Sequence, residues 1–131
     1  MIRKFRKDQR GQSLTEFALI VPLLLLLVSG IIDFGRFCYG YLELQMAAQE
    51  TVRLGGLGRS DSEMESFARD YLNISDPAKL TITISPPDSQ RDSGDYVTVT
   101  LQTPYQFVTP LANDLLTSVS GISAYSTIRV E

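Results

Sequence analysis

RGQSLTEFALIVPLLLLLVSGIIDFGRF, residues 10–37, is the stretch whose reading decides the fold. Phe17 to Ile32 is a run of 16 residues without a charge. Counted from Leu14 the run covers 19 residues. As a helix that is about 28 Å, close to the roughly 30 Å hydrocarbon core of a bilayer. The core helix of a small soluble domain keeps a polar face, and this run has none. A membrane-spanning helix is therefore expected, with a single carboxylate, Glu16, at its mouth.

Charge is divided along the chain. Residues 1–11 carry five basic groups (Arg3, Lys4, Arg6, Lys7 and Arg10) against Asp8, a net +4. Residues 12–131 carry seven basic and fourteen acidic groups, a net −7, which with the first segment gives the chain's −3. Flanking positive charge stays on the cytoplasmic side, so everything after Ile32 is expected on the far side of the membrane. An acidic exported part argues against nucleic acid as a partner, because nucleic-acid binders present basic patches.

With 131 residues there is room for one small domain and an appendage. Cys38 is the sole cysteine, so no intramolecular disulfide can form; it is expected as a small buried hydrophobe, an intermolecular bridge being the alternative. The sequence contains no histidine, which removes the commonest general base and metal ligand. No enzyme and no cofactor are expected. Asp33-Phe34-Gly35 has the letters of a kinase tripeptide but none of that fold's accompanying motifs. Asp88, Asp92 and Asp95 gather around a Ser-Gly turn without the spacing of a calcium loop, and Asp and Gly are ordinary turn residues. No metal site is assigned there.

Beyond the apolar run, DFGRFCYGYLELQMAAQETVRLGGLG (residues 33–58) places Phe34, Phe37, Tyr41, Leu44, Ala48 and Val52 at helical steps. One helix is expected from about Ser13 to Leu54, stopped by Gly55, Gly56 and Gly58. Asp33 and Arg36, three apart, are expected to pair beside the headgroups. Phe34, Phe37, Tyr39 and Tyr41 form an aromatic belt at the outer interface. Ser60 followed by Glu63 is a capping box opening a second, short helix over 60–73, with Met64, Phe67, Ala68, Tyr71 and Leu72 on its apolar stripe. KLTITIS (79–85), YVTVTLQ (96–102) and GISAYSTIRVE (121–131) alternate as strands. TPLANDLL (109–116) reads as a short helix with Thr109 as cap and Pro110 first. The fold class is α+β: a long N-terminal transmembrane and extended helix packed against a small antiparallel sheet. The expected organisation is a leader over 1–11, a transmembrane helix over 12–33 and an exported domain over 34–131. Within the last, 34–58 continues the helix and 79–131 forms the sheet region.

A secretory signal peptide has its small-residue cleavage site after the apolar region. Here the small residue, Gly11, comes before it, so cutting after Gly11 would remove the basic charges and keep the membrane helix. Gly11-Gln12-Ser13-Leu14-Thr15-Glu16-Phe17 resembles the prepilin peptidase site of type IVb (Flp) pilins and pseudopilins. Gln12, where type IVa and type II secretion pilins favour Phe, fits the Flp branch. ALIVPLLLLLVSGIIDFGRF, with Pro22 and Asp33-Phe34-Gly35-Arg36, resembles the TadE-like pseudopilins of the tight adherence system, as does the end STIRVE, Ser126–Glu131. The resemblance implies a pilin-like fold and a minor pseudopilin cleaved between Gly11 and Gln12 and needed for biogenesis of an Flp pilus. Glu16 and Phe17 would serve assembly, the Glu16 carboxylate pairing with a neighbouring subunit's new N-terminus. Implied partners are the prepilin peptidase, other pseudopilins, the major Flp pilin, the inner-membrane assembly platform and membrane lipid. The implied location is a bacterial inner membrane, crossed once, with the C-terminal domain periplasmic or extracellular.

Two alternatives stay open on the residues themselves. Glu16 can pair across subunits or simply face headgroups, an anion being favoured at a helix start in either case. Pro22 removes the bond to the Ala18 carbonyl and is expected to kink or loosen the helix, although prolines are also commoner in membrane helices generally. The rival to the pseudopilin reading is an uncleaved signal-anchored protein whose exported domain binds a partner.

Overall fold

The computed structural model describes residues 9–74, 76–116 and 118–131. The basic leader residues Arg3, Lys4, Arg6 and Lys7 lie outside the described residues. Helix α1 runs without interruption over Gln9–Gly56, 48 residues, or about 72 Å. It starts four residues before the expected Ser13, passing through Gly11, and ends two after Leu54. Helix α2 is Asp61–Leu72. Strands β1 (Thr81–Ser85), β2 (Tyr96–Pro104) and β3 (Gly121–Arg129) form one sheet, with helix α3 (Pro110–Leu115) between the last two. The strand order is β1-β2-β3, antiparallel throughout. Ile84 faces Val99 across the first pair, and Leu101 faces Ala124 across the second. The α+β class expected from the sequence is the observed one.

The end of α1 corrects the reading of its glycines. Gly58 alone takes the left-handed conformation, with φ at 77°. Around it the Arg59 N–H donates to the Leu54 carbonyl and the Gly58 N–H to the Gly55 carbonyl, both at 3.0 Å, the paired bonds of a Schellman cap. Gly55 and Gly56 stay helical and serve packing. A Cβ on Gly55 would lie 2.7 Å from Met64 Cε, and one on Gly56 would lie 3.1 Å from Ile128 Cγ2. Their missing side chains let α2 and the sheet close on the last turn. The Glu131 N–H then donates to the Gly56 carbonyl at 3.0 Å, satisfying one of the carbonyls a helix end leaves open.

The core forms where α1's distal half, α2 and the inner sheet face meet. Leu44, Ala47, Ala48 and Val52 of α1 are buried against Val97, Val99, Leu101, Ile122 and Ala124. Met64, Ala68 and Leu72 close the side facing α2, whose capping box at Ser60 and Glu63 is formed in both directions. The buried face of α1 is rotated from the expected stripe, since Phe34 and Tyr41 are exposed. Its true line runs Asp33, Phe37, Gly40, Leu44, Ala47 and Ala48, Thr51, Gly55. Small residues dominate it because the sheet approaches the helix backbone closely: a Cβ on Gly40 would lie 3.2 Å from Ile122 Cδ1. On α2, Tyr71 is likewise exposed, its ring stacked obliquely on Phe67 at 5.8 Å.

A polar clamp holds the long β1–β2 loop to the start of α2. Arg91, whose side chain is 5% exposed, pairs with Asp61. It also donates through Nε to the Pro86 carbonyl at 2.8 Å and through Nη1 to the Arg59 carbonyl at 3.4 Å. Asp61 and Asp88 accept each other's backbone N–H, at 3.1 and 3.3 Å. Arg91→Met keeps most of the buried volume but leaves the Asp61 carboxylate without its cation. We expect it to cost about 3 kcal/mol, read as a lower melting temperature of the near-ultraviolet tyrosine signal in detergent. Arg53→Met, which breaks only the exposed pair with Glu50, should cost within about 0.5 kcal/mol.

Candidate functional site

Two places on α1 carry polar chemistry that a membrane helix would not otherwise need. The first is its start. Gln12 and Glu16 lie one turn apart on the same side of the helix, and Gln12 Nε2 donates to Glu16 Oε1 at 3.1 Å. Thr15 Oγ1 donates to the Gln12 carbonyl at 2.7 Å, absorbing a hydroxyl within the helix as Ser29 does on the Leu25 carbonyl at 2.8 Å. Gly11, Gln12, Glu16 and Phe17 are all exposed. Gly11 is helical, in a stretch where glycine makes the helix easiest to open, since it costs about 1 kcal/mol relative to alanine. Pro22 sits inside the unbroken helix.

Between this start and Ile32, the helix meets almost none of its own protein. An 18-residue window of it is long and apolar enough to span a membrane, with 6% buried inside the protein. Leu19, Leu23, Leu25 and Ile31 are each more than half exposed. In water that surface would be an aggregation liability; in lipid it is the ordinary state of a spanning helix.

The second place is the end of this apolar segment. Asp33 is 3% exposed, and its carboxylate does not form the expected ion pair with Arg36. It accepts the Val108 N–H at 2.9 Å on Oδ1 and the Thr109 N–H at 2.7 Å on Oδ2. The physical reason is satisfaction: the turn before α3 presents two adjacent backbone donors, and the Thr109 side chain makes no cap bond. Fixed donors at bonding distance outcompete an exposed, mobile guanidinium. The Tyr105 hydroxyl donates to the Asp33 main-chain carbonyl at 3.1 Å, and burial pushes its phenol up from the usual value, keeping it a donor. Phe37 and Phe107 stand edge-on to the Tyr105 ring, at 5.4 and 5.1 Å. Only Phe37 of the expected aromatic belt is thus drawn into the protein; Phe34, Tyr39 and Tyr41 remain outside.

The structure separates the two places. Glu16 and Asp33 are seventeen residues apart on one helix, about 25 Å of rise. The Asp33 lock was missed because the apolar stripe was started at Phe34. Stepping back from Leu44 by turns through Gly40 and Phe37 reaches Asp33, and a carboxylate on a buried face needs donors. Cys38 is exposed, not buried, because the rotated face turns it away from the sheet. Asp88 is committed to Asp61, and Asp95 accepts the Asp92 N–H at 2.9 Å. Among the described residues, no group of three or more His, Cys, Asp or Glu converges as a metal site.

Asp33→Ala should free the Val108 and Thr109 amides while leaving the sheet intact. Hydrogen exchange in micelles is expected to be at least about tenfold faster at those two amides, with Val97 to Leu101 unchanged. Asp33→Asn, which keeps an acceptor, should fall between.

No curated protein and no solved structure matches this chain. A family model described as TadE-like protein does match, over residues 11–53. The matched segment begins at the glycine of the helix start, contains Glu16, Pro22 and Asp33, and ends within the last turns of α1. From Gly11 to Arg53, the long helix of this chain is similar to that of TadE-like proteins.

Proposed function

We propose that the chain is a minor pseudopilin of a tight adherence (Flp, type IVb) pilus, cleaved after Gly11 and assembled through the freed end of α1. The TadE-like match relates it to a Tad pilus; the processing, partners and orientation are our reading. The observation that carries it is the helix start. A carboxylate, Glu16, stands in an otherwise uncharged apolar surface, exposed and bonded to the side chain of Gln12. Cleavage between Gly11 and Gln12 would create an ammonium about 6 Å of rise away. Such an attraction is about 1 kcal/mol at 4 Å in water and about 4 kcal/mol where the effective dielectric is lower. A carboxylate is costly at membrane depth, so an ammonium on the same or a neighbouring helix offsets that cost and makes lateral association favourable.

In this reading the basic leader holds the N-terminus in the cytoplasm, and residues 34–131 stand beyond the membrane. The chemistry on the chain is performed by the prepilin peptidase, and the chain itself is no enzyme. Its partners are other pseudopilins, the major Flp pilin and the inner-membrane platform. One observation favours the rival, an uncleaved signal-anchored protein: α1 passes through Gly11 as helix, whereas a protease needs that segment extended.

Processing distinguishes the two. N-terminal sequencing of membrane-bound protein from cells containing the peptidase should read Gln12 first, and Gly11→Leu should leave Met1 in place. An intact Met1 in the parent would select the signal-anchored reading. Glu16→Gln retains size and hydrogen bonding and lowers the cost of residing in lipid. It should insert and be cleaved normally, yet lose cross-links to partner pilins and most surface pili under electron microscopy. Parental piliation in this variant would mean that Glu16 only faces headgroups.

A further inference from the structure

Where α1 leaves its apolar segment, α3 and the turn after it lie back along the helix toward the apolar end. A cavity of about 590 Å³ opens between them, lined on one side by Leu26, Gly30 and Phe34 and on the other by Leu115, Leu116 and Val119. At its rim Leu115 is 78% exposed, and nearby Val108 is 63% exposed. From Tyr96 to Ile128 the only charge is Asp114, so nothing ionic on this segment bars it from an apolar medium.

Position along α1 says what covers this surface. Leu26 lies seven residues before Asp33, about 10 Å toward the membrane centre if the helix exits near Ile32. An apolar wall shared by Leu26 and Leu115 therefore continues the lipid-facing surface of the span and is not a separate patch on the exported domain. That reach matches the roughly 5–10 Å by which interfacial helices bury an apolar face at the headgroup and acyl boundary. The Asp33 lock fits the same depth. Backbone N–H groups near hydrocarbon find no water and must be satisfied by protein, and Val108 and Thr109 are satisfied by the Asp33 carboxylate.

We propose that Val108, Leu115, Leu116 and Val119 form an interfacial foot: these apolar side chains rest in the leaflet where α1 exits, and lipid acyl chains fill the cavity against Leu26 and Gly30. This rests on the reading of α1 as a membrane span, though not on cleavage or pilus assembly. The foot would fix how far the exported domain stands from the membrane and, with the span, would hold its rotation about the helix axis. Binding is apolar, so it should not depend on anionic lipid.

The chain contains no tryptophan, so single reporters can be placed without background. Leu115→Trp and Val108→Trp replace exposed side chains and leave the core untouched. Leu24→Trp reports the span and Tyr125→Trp the exposed outer face of the sheet. The full chain is reconstituted in phosphatidylcholine vesicles carrying bromine either near the headgroup end or near the middle of the acyl chains. Leu115→Trp and Val108→Trp should lose most of their emission to the shallow bromines, equally with and without phosphatidylglycerol. Leu24→Trp should be quenched by the deeper bromines, and Tyr125→Trp by neither. If Leu24→Trp is quenched while the 115 and 108 reporters behave like Tyr125→Trp, the foot is overturned and the span stands. Blue-shifted but unquenched emission at 115 that reverts to the exposed spectrum on dilution in lipid would overturn it in favour of a second copy seated in the groove. An unquenched Leu24→Trp would overturn the span and the foot together.

Discussion

Among the described residues the sheet has no second sheet to close on, so its inner face must be covered by helix, and the outer half of α1 supplies the main surface. Val97, Val99 and Leu101 project toward α1 from the central strand, flanked by Ile122 and Ala124 from β3. Burying a side chain of this size contributes about 1.5–3 kcal/mol, and the gain is realised only when helix and sheet approach closely. That condition explains the small residues on the contact line. Gly40, Ala47, Ala48, Gly55 and Gly56 bring the two backbones together, while Leu44 and Val52 fill the remaining volume. Helix propensity argues against glycine at these places; packing against Ile122, Met64 and Ile128 overrides it.

The same helix has two kinds of surroundings in the fold, and Asp33 marks the change. Toward the N-terminus its side chains face outward all round, as lipid allows. Toward the C-terminus one face is sealed by protein. A carboxylate at that boundary would be costly if unpaired, and the β2–α3 turn supplies two N–H groups to hold it. The bonds act in both directions: they satisfy the acid, and they tie the C-terminal domain to the top of the apolar segment. Tyr105, bonded to the main chain of the same residue and packed between Phe37 and Phe107, stiffens this joint. The C-terminal domain therefore does not hang from a flexible tether. Its orientation is coupled to the helix, so any rotation of α1 is passed on to it.

Much of this was legible in the sequence. Residues 17–32 stand out by having no charge at any angle of the helix, the surface a hydrocarbon medium would allow. The capping box at Ser60 and Glu63, and the alternation in TITIS, YVTVT and GISAYSTI, are local patterns that need no tertiary information. Gly11, Gln12 and Glu16 could be singled out for the same reason: their meaning lies in order along the chain, basic, then small, then acidic within an apolar run. The family match over residues 11–53 includes Gly11, Gln12 and Glu16.

What the sequence could not decide was rotation and partnership. Phe34 and Tyr41 share the helical spacing of Phe37, Leu44, Ala48 and Val52, yet they are exposed, because the sheet selects the glycine and alanine line one step round the helix. Cys38 is exposed for that reason. Asp33 had a plausible partner three residues away in Arg36, and only the folded chain brings Val108 and Thr109, seventy-five and seventy-six positions on, within bonding distance. Of three glycines near the end of α1, composition cannot tell which one turns the chain, whereas the backbone does so at Gly58 alone. The sequence by itself determined which segment is apolar on every face and the type of each element, since both follow from local composition and period. Tertiary structure decided which face is buried and which polar groups meet, because those depend on the distance between surfaces that are remote along the chain.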